Sequence, residues 1–155
     1  MPPKFNHNIQ LATLSDVKLF TFNCFEDSRG TLMPVEAEND IPIPLRRIFI
    51  VQPSRAGEER GAHAHYLCTQ ILCCLSGSCT VVVKDGVEEK EIALARPNQA
   101  VMIPPTLWGE EIYTSPNTIL LVMCDRAYET KDYISEFNEY KLFRKKMLQG
   151  GRGEN

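Results

Sequence analysis

The sequence contains neither a long hydrophobic run nor a block of basic residues before its C-terminal end. No apolar run approaches the roughly 20 residues that a membrane-spanning helix needs. The opening stretch MPPKFNHNIQLATL lacks a basic flank followed by an apolar core, so no signal peptide is predicted. Basic residues cluster only in FRKKM, and the net charge is -3 at pH 7. We therefore expect neither a nucleic acid nor a membrane as a partner.

The six cysteines include no C-x-x-C pair, the spacing that metal and redox sites often use. Most of them lie inside apolar, strand-like runs, where a reduced cysteine behaves as a small hydrophobic residue. Buried thiols that stay reduced are typical of the cytoplasm, which is the location we predict.

Short strands dominate the predicted secondary structure of this 155-residue chain, whose length suits one domain with its own core. Runs rich in β-branched and aromatic residues, each bounded by Gly, Pro, Asn, Asp or Ser, are predicted as strands. They cover 17–27, 46–52, 69–77, 79–86, 88–94, 99–105, 109–114 and 118–125. Strands this short and closely spaced are typical of a sandwich or barrel rather than of βαβ units.

The remaining segments are predicted as loops, apart from one helix. EDSRGTLMPVE and ENDIPIPL have the composition of loops, and two prolines make a helix unfavourable in the second. Apolar residues follow helical spacing only in KDYISEFNEYKLFRKKML, close to the C-terminus. We predict a single domain over residues 1–145 and a disordered tail over 146–155.

Two of the three histidines, His63 and His65, are separated by a single residue on a further predicted strand. Side chains two residues apart on a strand point to the same face of the sheet. Two imidazoles side by side suggest either a metal site or an acid/base pair.

The spacing around these histidines resembles the first sequence signature of the cupins. It reads Gly57-x5-His63-x-His65-x4-Gln70-x6-Gly77, with Gln70 where the acidic metal ligand normally stands. In the region of the second signature, PPTLWG places Gly109 where a histidine is usual. The resemblance implies an all-β cupin fold, a double-stranded β-helix or jelly-roll barrel, with a short C-terminal helix.

The ligands available for a metal are few. A cupin metal site takes about three histidines and one glutamate, whereas this chain offers two histidines, an amide and a glycine. The third histidine, His7, lies in an N-terminal arm without a strand pattern. We therefore predict no metal and no other cofactor, and we interpret His63 and His65 as an acid/base pair.

Longer motifs resemble one family of cupins in particular. Arg60-Gly61-x-His63-x-His65, TQILCCLSGSCTVVVKDG, PPTLWGEE and AYETKDYISEFNEY together resemble the WxcM-like nucleotide-sugar 3,4-ketoisomerases of O-antigen and S-layer sugar pathways. The resemblance implies a metal-free isomerase acting on dTDP-4-keto-6-deoxyglucose. It also implies a homodimer whose N-terminal strands are exchanged between two barrels.

The resemblance implies roles for both histidines and for a nearby arginine. His63 would take the proton from C3 as the base, a task that suits an imidazole near neutral pH. His65 would tune that base or move a proton between O4 and O3. Arg60 would stabilise the developing oxyanion or bind the diphosphate.

Four more residues are predicted to bind substrate. Arg29 and Arg47 match family positions that face the cavity, and a guanidinium suits a diphosphate. Arg46 is the neighbour of Arg47 on a strand and is expected at the surface, since only one of these two arginines can face inward. Gln70 lies within the cupin-like signature, and Trp108 either packs against the sugar or closes the core.

The chain departs from the family pattern at three positions. Phe49 replaces a tyrosine whose hydroxyl takes part in proton transfer, so the group that carries the oxygen-side proton is unidentified. Tyr113 or Tyr128 could supply a hydroxyl, although neither lies at a motif position. Gly109 replaces a larger polar residue, and Ser135 replaces an arginine. The configuration of the product at C4 stays open.

Three other functions are alternatives to the ketoisomerase. A 3,5-epimerase would act on the same ketosugar with a histidine and a tyrosine on opposite faces, usually in a longer chain. A metal-dependent oxygenase is opposed by the missing glutamate and third histidine. A non-catalytic sugar-binding cupin is suggested by Phe49 alone.

Overall fold

The structure is a computed structural model that describes residues 8–150, so His7 lies outside the described residues. Most of its regular secondary structure is strand, together with two short 3-10 helices, Leu14–Asp16 and Thr130–Asp132, and one α-helix. The elements are β1 (Lys18–Thr21), β2 (Phe25–Asp27), β3 (Gly30–Leu32), β4 (Arg47–Val51), β5 (Glu59–His65), β6 (Gln70–Ser76), β7 (Cys79–Lys84), β8 (Glu89–Leu94), β9 (Gln99–Ile103), β10 (Trp108–Tyr113), β11 (Ile119–Cys124), β12 (Tyr133–Ile134) and α1 (Phe137–Gly150).

Two antiparallel sheets of five strands each form the body of the domain. One has the order β1-β9-β6-β11-β4 and the other the order β12-β5-β10-β7-β8. Residues from both sheets, such as Leu72 and Val101 from one and Val81 and Val83 from the other, share one buried apolar cluster. The sheets therefore pack face to face, which agrees with the predicted jelly roll.

Strand β6 is buried on both faces, which explains its continuous apolar sequence. Leu72 and Cys74 belong to the cluster between the sheets. Ile71 and Cys73 belong to a second cluster on the outer face, which the N-terminal segment covers with Phe22 and other residues. The adjacent cysteines of the sequence thus point into different layers.

Helix α1 packs on the outer face of the second sheet. Phe143 and Tyr140 are buried there in one cluster with Trp108. The helix begins at Phe137, six residues after the start of the predicted helical stretch, because Tyr133 and Ile134 pair with β5 instead. It continues to Gly150, since Met147 still packs against the same cluster. Residues 146–150 of the predicted tail are therefore helical, and 151–155 lie outside the described residues.

The segment predicted as the loop EDSRGTLMPVE contributes to a hairpin instead. Strands β2 and β3 pair with each other in a separate two-stranded sheet, and all their residues are exposed, Phe25 and Leu32 among them. On the sheet edge formed by β4, Ile48 and Ile50 also face solvent. A single chain therefore leaves several large apolar side chains uncovered.

Among residues 8–150, no helix combines the length and the apolar character that crossing a membrane requires.

Candidate active site

A β-bulge in β5 sets the direction of the motif side chains. His63 lies opposite Gly109 on β10 and Arg60 lies opposite Glu111, with the irregularity between these two pairs. Gly61 and Ala62 both adopt positive φ, 80° and 52°, which is unusual for the alanine. Because the bulge adds one residue to β5, Arg60 and His63 point to the same side although they are three positions apart.

The two histidines lie against each other, as the strand spacing predicts. Their ring centroids are 4.9 Å apart and the rings are nearly perpendicular. His63 is half-buried and His65 is buried. Both line one cavity inside the barrel, together with Gln70 and Glu111.

Asp132 fixes the orientation of the His65 ring. Its Oδ2 atom is 2.9 Å from Nδ1 of His65, and both side chains are buried. The carboxyl group also accepts hydrogen bonds from the backbone N–H groups of Leu67 (2.8 Å) and Cys68 (3.2 Å). A carboxyl held in this way accepts the proton on Nδ1, which leaves Nε2 of His65 without a partner at the cavity.

The environment of His63 keeps its imidazole neutral. Burial lowers the pKa of His63 to about 4, and the neighbouring His65 acts in the same direction. At neutral pH the ring therefore has a free lone pair with which it can accept a proton. This is the state that a general base requires.

Tyr133 is a site residue that the sequence analysis missed. It pairs with His65 across β12 and β5, and its ring centroid is 4.4 Å from that of His65 and 5.0 Å from that of His63. Nη2 of Arg47 lies 3.5 Å from its hydroxyl oxygen. The only signal in the sequence is its place in the motif AYETKDYISEFNEY, where no role was assigned to it.

The two tyrosines considered from the sequence lie elsewhere. Tyr113 is buried, and its hydroxyl has no hydrogen-bond partner among residues 8–150. Tyr128 is exposed and contacts the ring of Tyr133. The guanidinium group of Arg47 lies over the rings of Tyr128 and Phe49, and Arg46 is exposed, as expected of adjacent strand residues.

Glu111 is the second residue that the sequence analysis missed. It is buried in the cavity wall, and burial raises the pKa of its carboxyl group to about 7, although Arg60 opposes this shift. Gly61 makes room for it, because a Cβ atom at position 61 would lie only 2.5 Å from Oε2 of Glu111. The glycine of the R-G-x-H-x-H motif thus has a steric role here.

The other predicted binding residues occupy different environments. Gln70 is buried in the cavity wall, with Nε2 3.8 Å from Sγ of Cys124. Arg60 is exposed on the strand that carries the histidines. Arg29 lies at the tip of the β2–β3 hairpin and forms an ion pair with Asp27, so the single chain does not bring it to the cavity.

Trp108 points away from the cavity. Its side chain is buried between β10 and α1, against the rings of Phe137 and Tyr140, and its indole N–H donates to Glu110 (2.8 Å). Neighbouring residues on a strand face opposite sides, so Gly109 lines the cavity whereas Trp108 does not. This position favours closure of the core over contact with a sugar.

Ligand-type atoms of His65, Cys68 and Asp132 lie within 4.8 Å of one another, close enough to be considered as a metal site. The three hydrogen bonds described above already use both oxygens of Asp132. We therefore interpret this cluster as the support of the His65 ring.

Comparisons with known proteins identify a matching family and a similar sequence. The family model described as FdtA, WxcM-like, C-terminal matches residues 15–145. A TDP-4-oxo-6-deoxy-alpha-D-glucose-3,4-oxoisomerase from Aneurinibacillus thermoaerophilus is 32% identical over 126 residues, which are 81% of this chain and 91% of that protein.

Solved structures are similar over nearly the same length. QdtA, a sugar 3,4-ketoisomerase from Thermoanaerobacterium thermosaccharolyticum solved with TDP, has 32% identity and a TM-score of 0.82, covering 88% of this chain and 99% of its own. A histidine-to-asparagine variant of QdtA was solved with TDP-4-keto-6-deoxyglucose, with a TM-score of 0.82, 32% identity and coverage of 86% and 97%. The similarity confirms the predicted all-β jelly-roll fold.

The fold extends to more distant proteins. A dTDP-4-dehydrorhamnose 3,5-epimerase from Bacillus anthracis has a TM-score of 0.70 at 16% identity, covering 81% of each chain. This likeness concerns the fold alone.

Proposed function

The chain belongs to the FdtA family of WxcM-like C-terminal proteins, and we propose that it is a nucleotide-sugar 3,4-ketoisomerase acting on a TDP-linked 4-keto-6-deoxyhexose. The membership confirms the resemblance inferred from the R-G-x-H-x-H motif. One observation carries the proposal. His63, a neutral base, lies in a barrel cavity beside a second histidine whose orientation Asp132 fixes.

The reaction moves a carbonyl group from C4 to C3 of the sugar. His63 takes the proton from C3, and the electron pair of the C3–H bond becomes the double bond of an enediol(ate) between C3 and C4. The imidazolium then returns a proton to C4, while the oxygen on C3 becomes the new carbonyl. The proton on the oxygens moves from O3 to O4, so atoms and electrons balance without a cofactor.

The groups around His63 support these steps in different ways. Asp132 orients His65, whose Nε2 faces the same cavity and can hydrogen-bond to a sugar oxygen. Arg60 supplies positive charge beside the cavity, where negative charge develops on the enediolate. Arg47 positions the Tyr133 ring, which packs against both imidazoles.

The test is proton NMR of TDP-4-keto-6-deoxyglucose incubated with the protein in D2O. We expect a new 3-keto species that carries deuterium at C4, while the remaining 4-keto substrate exchanges only at C3. Deuterium at C5 would instead indicate a 3,5-epimerase. Binding without exchange or product would indicate a non-catalytic sugar-binding protein. The same spectra would give the configuration of the product at C4.

A homodimer with exchanged N-terminal segments completes the proposal. Its support is the apolar surface that one chain leaves exposed, formed by Leu19, Phe25, Leu32, Ile48 and Ile50. In such a dimer the hairpin would leave its own barrel and carry Arg29 to the cavity of the partner. The exchange would explain why Arg29 matches a family position that faces the cavity although a single chain does not bring it there.

Replacement of Ile50 by glutamate should separate such a dimer into monomers, because a charge would be buried at the interface without a partner. Sedimentation velocity should give twice the 17.6 kDa of one chain for the unmodified protein and one chain mass for the variant. Val87→Glu is the matched control, since Val87 is 91% exposed on the turn after β7. A monomeric unmodified protein would contradict the proposal.

We also place the enzyme in the cytoplasm, within a pathway that makes a deoxyamino sugar of the lipopolysaccharide O-antigen. The location is supported by the cysteines, since those at positions 24, 68, 73, 74, 79 and 124 are all free thiols and all but Cys24 are buried. The pathway is supported by family membership.

A further inference from the structure

Glu111 occupies the cavity of the two histidines, yet the mechanism above gives it no task. It lies on β10 two residues beyond Gly109, on the face that borders the cavity. Its side chain is 9% exposed. A buried carboxyl group is costly to keep unless it has a structural partner or a chemical role.

No structural partner is found within residues 8–150. The Glu111 carboxyl forms neither a hydrogen bond nor an ion pair there, whereas the adjacent Glu110 binds both Lys84 and Trp108. Arg60 lies opposite on β5 but is not within ion-pair distance. Gly61 leaves room for the carboxyl group itself, and Gly109 lines the same cavity. A substrate can therefore approach it without displacing a bond.

Charges from each packed strand act on this carboxyl group. Arg60 on β5 favours the ionised form, and Glu110 on β10 disfavours it. Burial, with a smaller contribution from Glu111, raises the pKa of Tyr113 on β10. The neighbouring Cys74 and burial, with Glu111 as a minor cause, raise the pKa of Cys79 on β7, so both groups face Glu111 uncharged. Since burial outweighs Arg60, a pKa of about 7 lets Glu111 hold a proton near neutral pH.

We propose that Glu111 is a further catalytic residue, which carries the oxygen-side proton of the isomerisation between O4 and O3. The inference rests on the proposed function and assigns the carrier that Phe49 leaves open. While His63 takes the C3 proton, the carboxylic acid of Glu111 protonates O4 and becomes a carboxylate. That carboxylate takes the proton from the O3 hydroxyl as His63 returns a proton to C4, so both groups end as they began.

The division of tasks follows from the two environments. The same cavity contains a histidine that stays neutral and a carboxyl group that keeps a proton up to about pH 7, so a base and an acid are available together near neutral pH. Pairs of titratable groups whose pKa values are shifted apart in this way are typical of acid/base catalysis.

The test compares Glu111→Gln with the unmodified enzyme, using Glu91→Gln on the exposed face of β8 as the matched control. We expect Glu111→Gln to lower kcat about 10²-fold with unchanged affinity for TDP. Deuterium exchange at C3 should fall much less than product formation, because His63 still removes that proton. The unmodified enzyme and Glu91→Gln should lose activity as pH rises through about 7, and this decline should be absent in Glu111→Gln.

The outcomes test the role of Glu111 and the proposed ketoisomerase function separately. A Glu111→Gln variant that keeps the decline above pH 7 or full activity would overturn the role of Glu111 and leave the ketoisomerase intact. If the unmodified protein makes no 3-keto product, the proposed function itself is wrong. Should Glu111→Gln not fold, the unmodified enzyme still decides, because activity that does not decline between pH 6 and 8 would overturn the proposal.

Discussion

Replacement of His63 by asparagine should lower kcat about 10⁴-fold, because the variant has no group that can take the C3 proton. Asparagine fills similar space and keeps the half-buried position polar, so the fold and the affinity for TDP should remain. The measurement is product formation from TDP-4-keto-6-deoxyglucose under saturating substrate, together with deuterium exchange at C3 in D2O. Exchange should disappear along with product.

The combination of both readouts distinguishes the base from a binding residue. Loss of TDP affinity with normal kcat would place His63 in substrate binding alone. If C3 exchange persisted in His63→Asn, another group would be the base, and His65 would be the next candidate because its Nε2 borders the same cavity.

Replacement of Asp132 by asparagine should have the second largest effect, on both activity and stability. The amide can donate to Nδ1 of His65, which would move the proton of that ring to Nε2 and remove the acceptor at the cavity. We expect kcat to fall about 10³-fold, because loss of an orienting carboxyl group leaves the imidazole in the wrong tautomer. Loss of charge-assisted bonds to the backbone N–H groups of Leu67 and Cys68 should lower the free energy of unfolding by about 2–4 kcal/mol.

Asp125 offers a matched control for this variant. It also accepts a hydrogen bond from a backbone N–H, that of Thr69 at 2.9 Å, but contacts neither histidine. Asp125→Asn should therefore lose some stability and keep its kcat. Urea unfolding and steady-state kinetics measure both quantities, and equal losses of kcat in the two variants would mean that Asp132 has only a structural role.

The motif strand could be predicted from the sequence because its information is local. A separation of two residues puts His63 and His65 on one face wherever β5 lies in the fold. Glycines at fixed spacing then indicated the barrel that surrounds them. The alternation of adjacent Arg46 and Arg47 was predictable for the same reason.

The groups that complete the site depend on pairing between distant strands. Asp132 and Tyr133 reach the histidines only because β12 pairs with β5, across 67 residues in the case of the Asp132–His65 contact. Glu111 lines the cavity and Trp108, which was predicted to bind substrate, does not, because the face that each residue occupies depends on the register of β10. A register is a tertiary property, and the stretch WGEEIY fits either face.

The strand pairings close long loops in the chain, and this affects how the enzyme folds. Lys18 pairs with Met102 and Arg47 with Cys124, so few of the central contacts are local. Folding should be slow for a chain of this size, because such pairings form only after a large loss of chain entropy. On the ribosome, the His65 ring stays unsupported until Asp132 has left the exit tunnel. His63 is therefore synthesised long before the residue that orients His65, and activity should arise only after β12 has paired with β5.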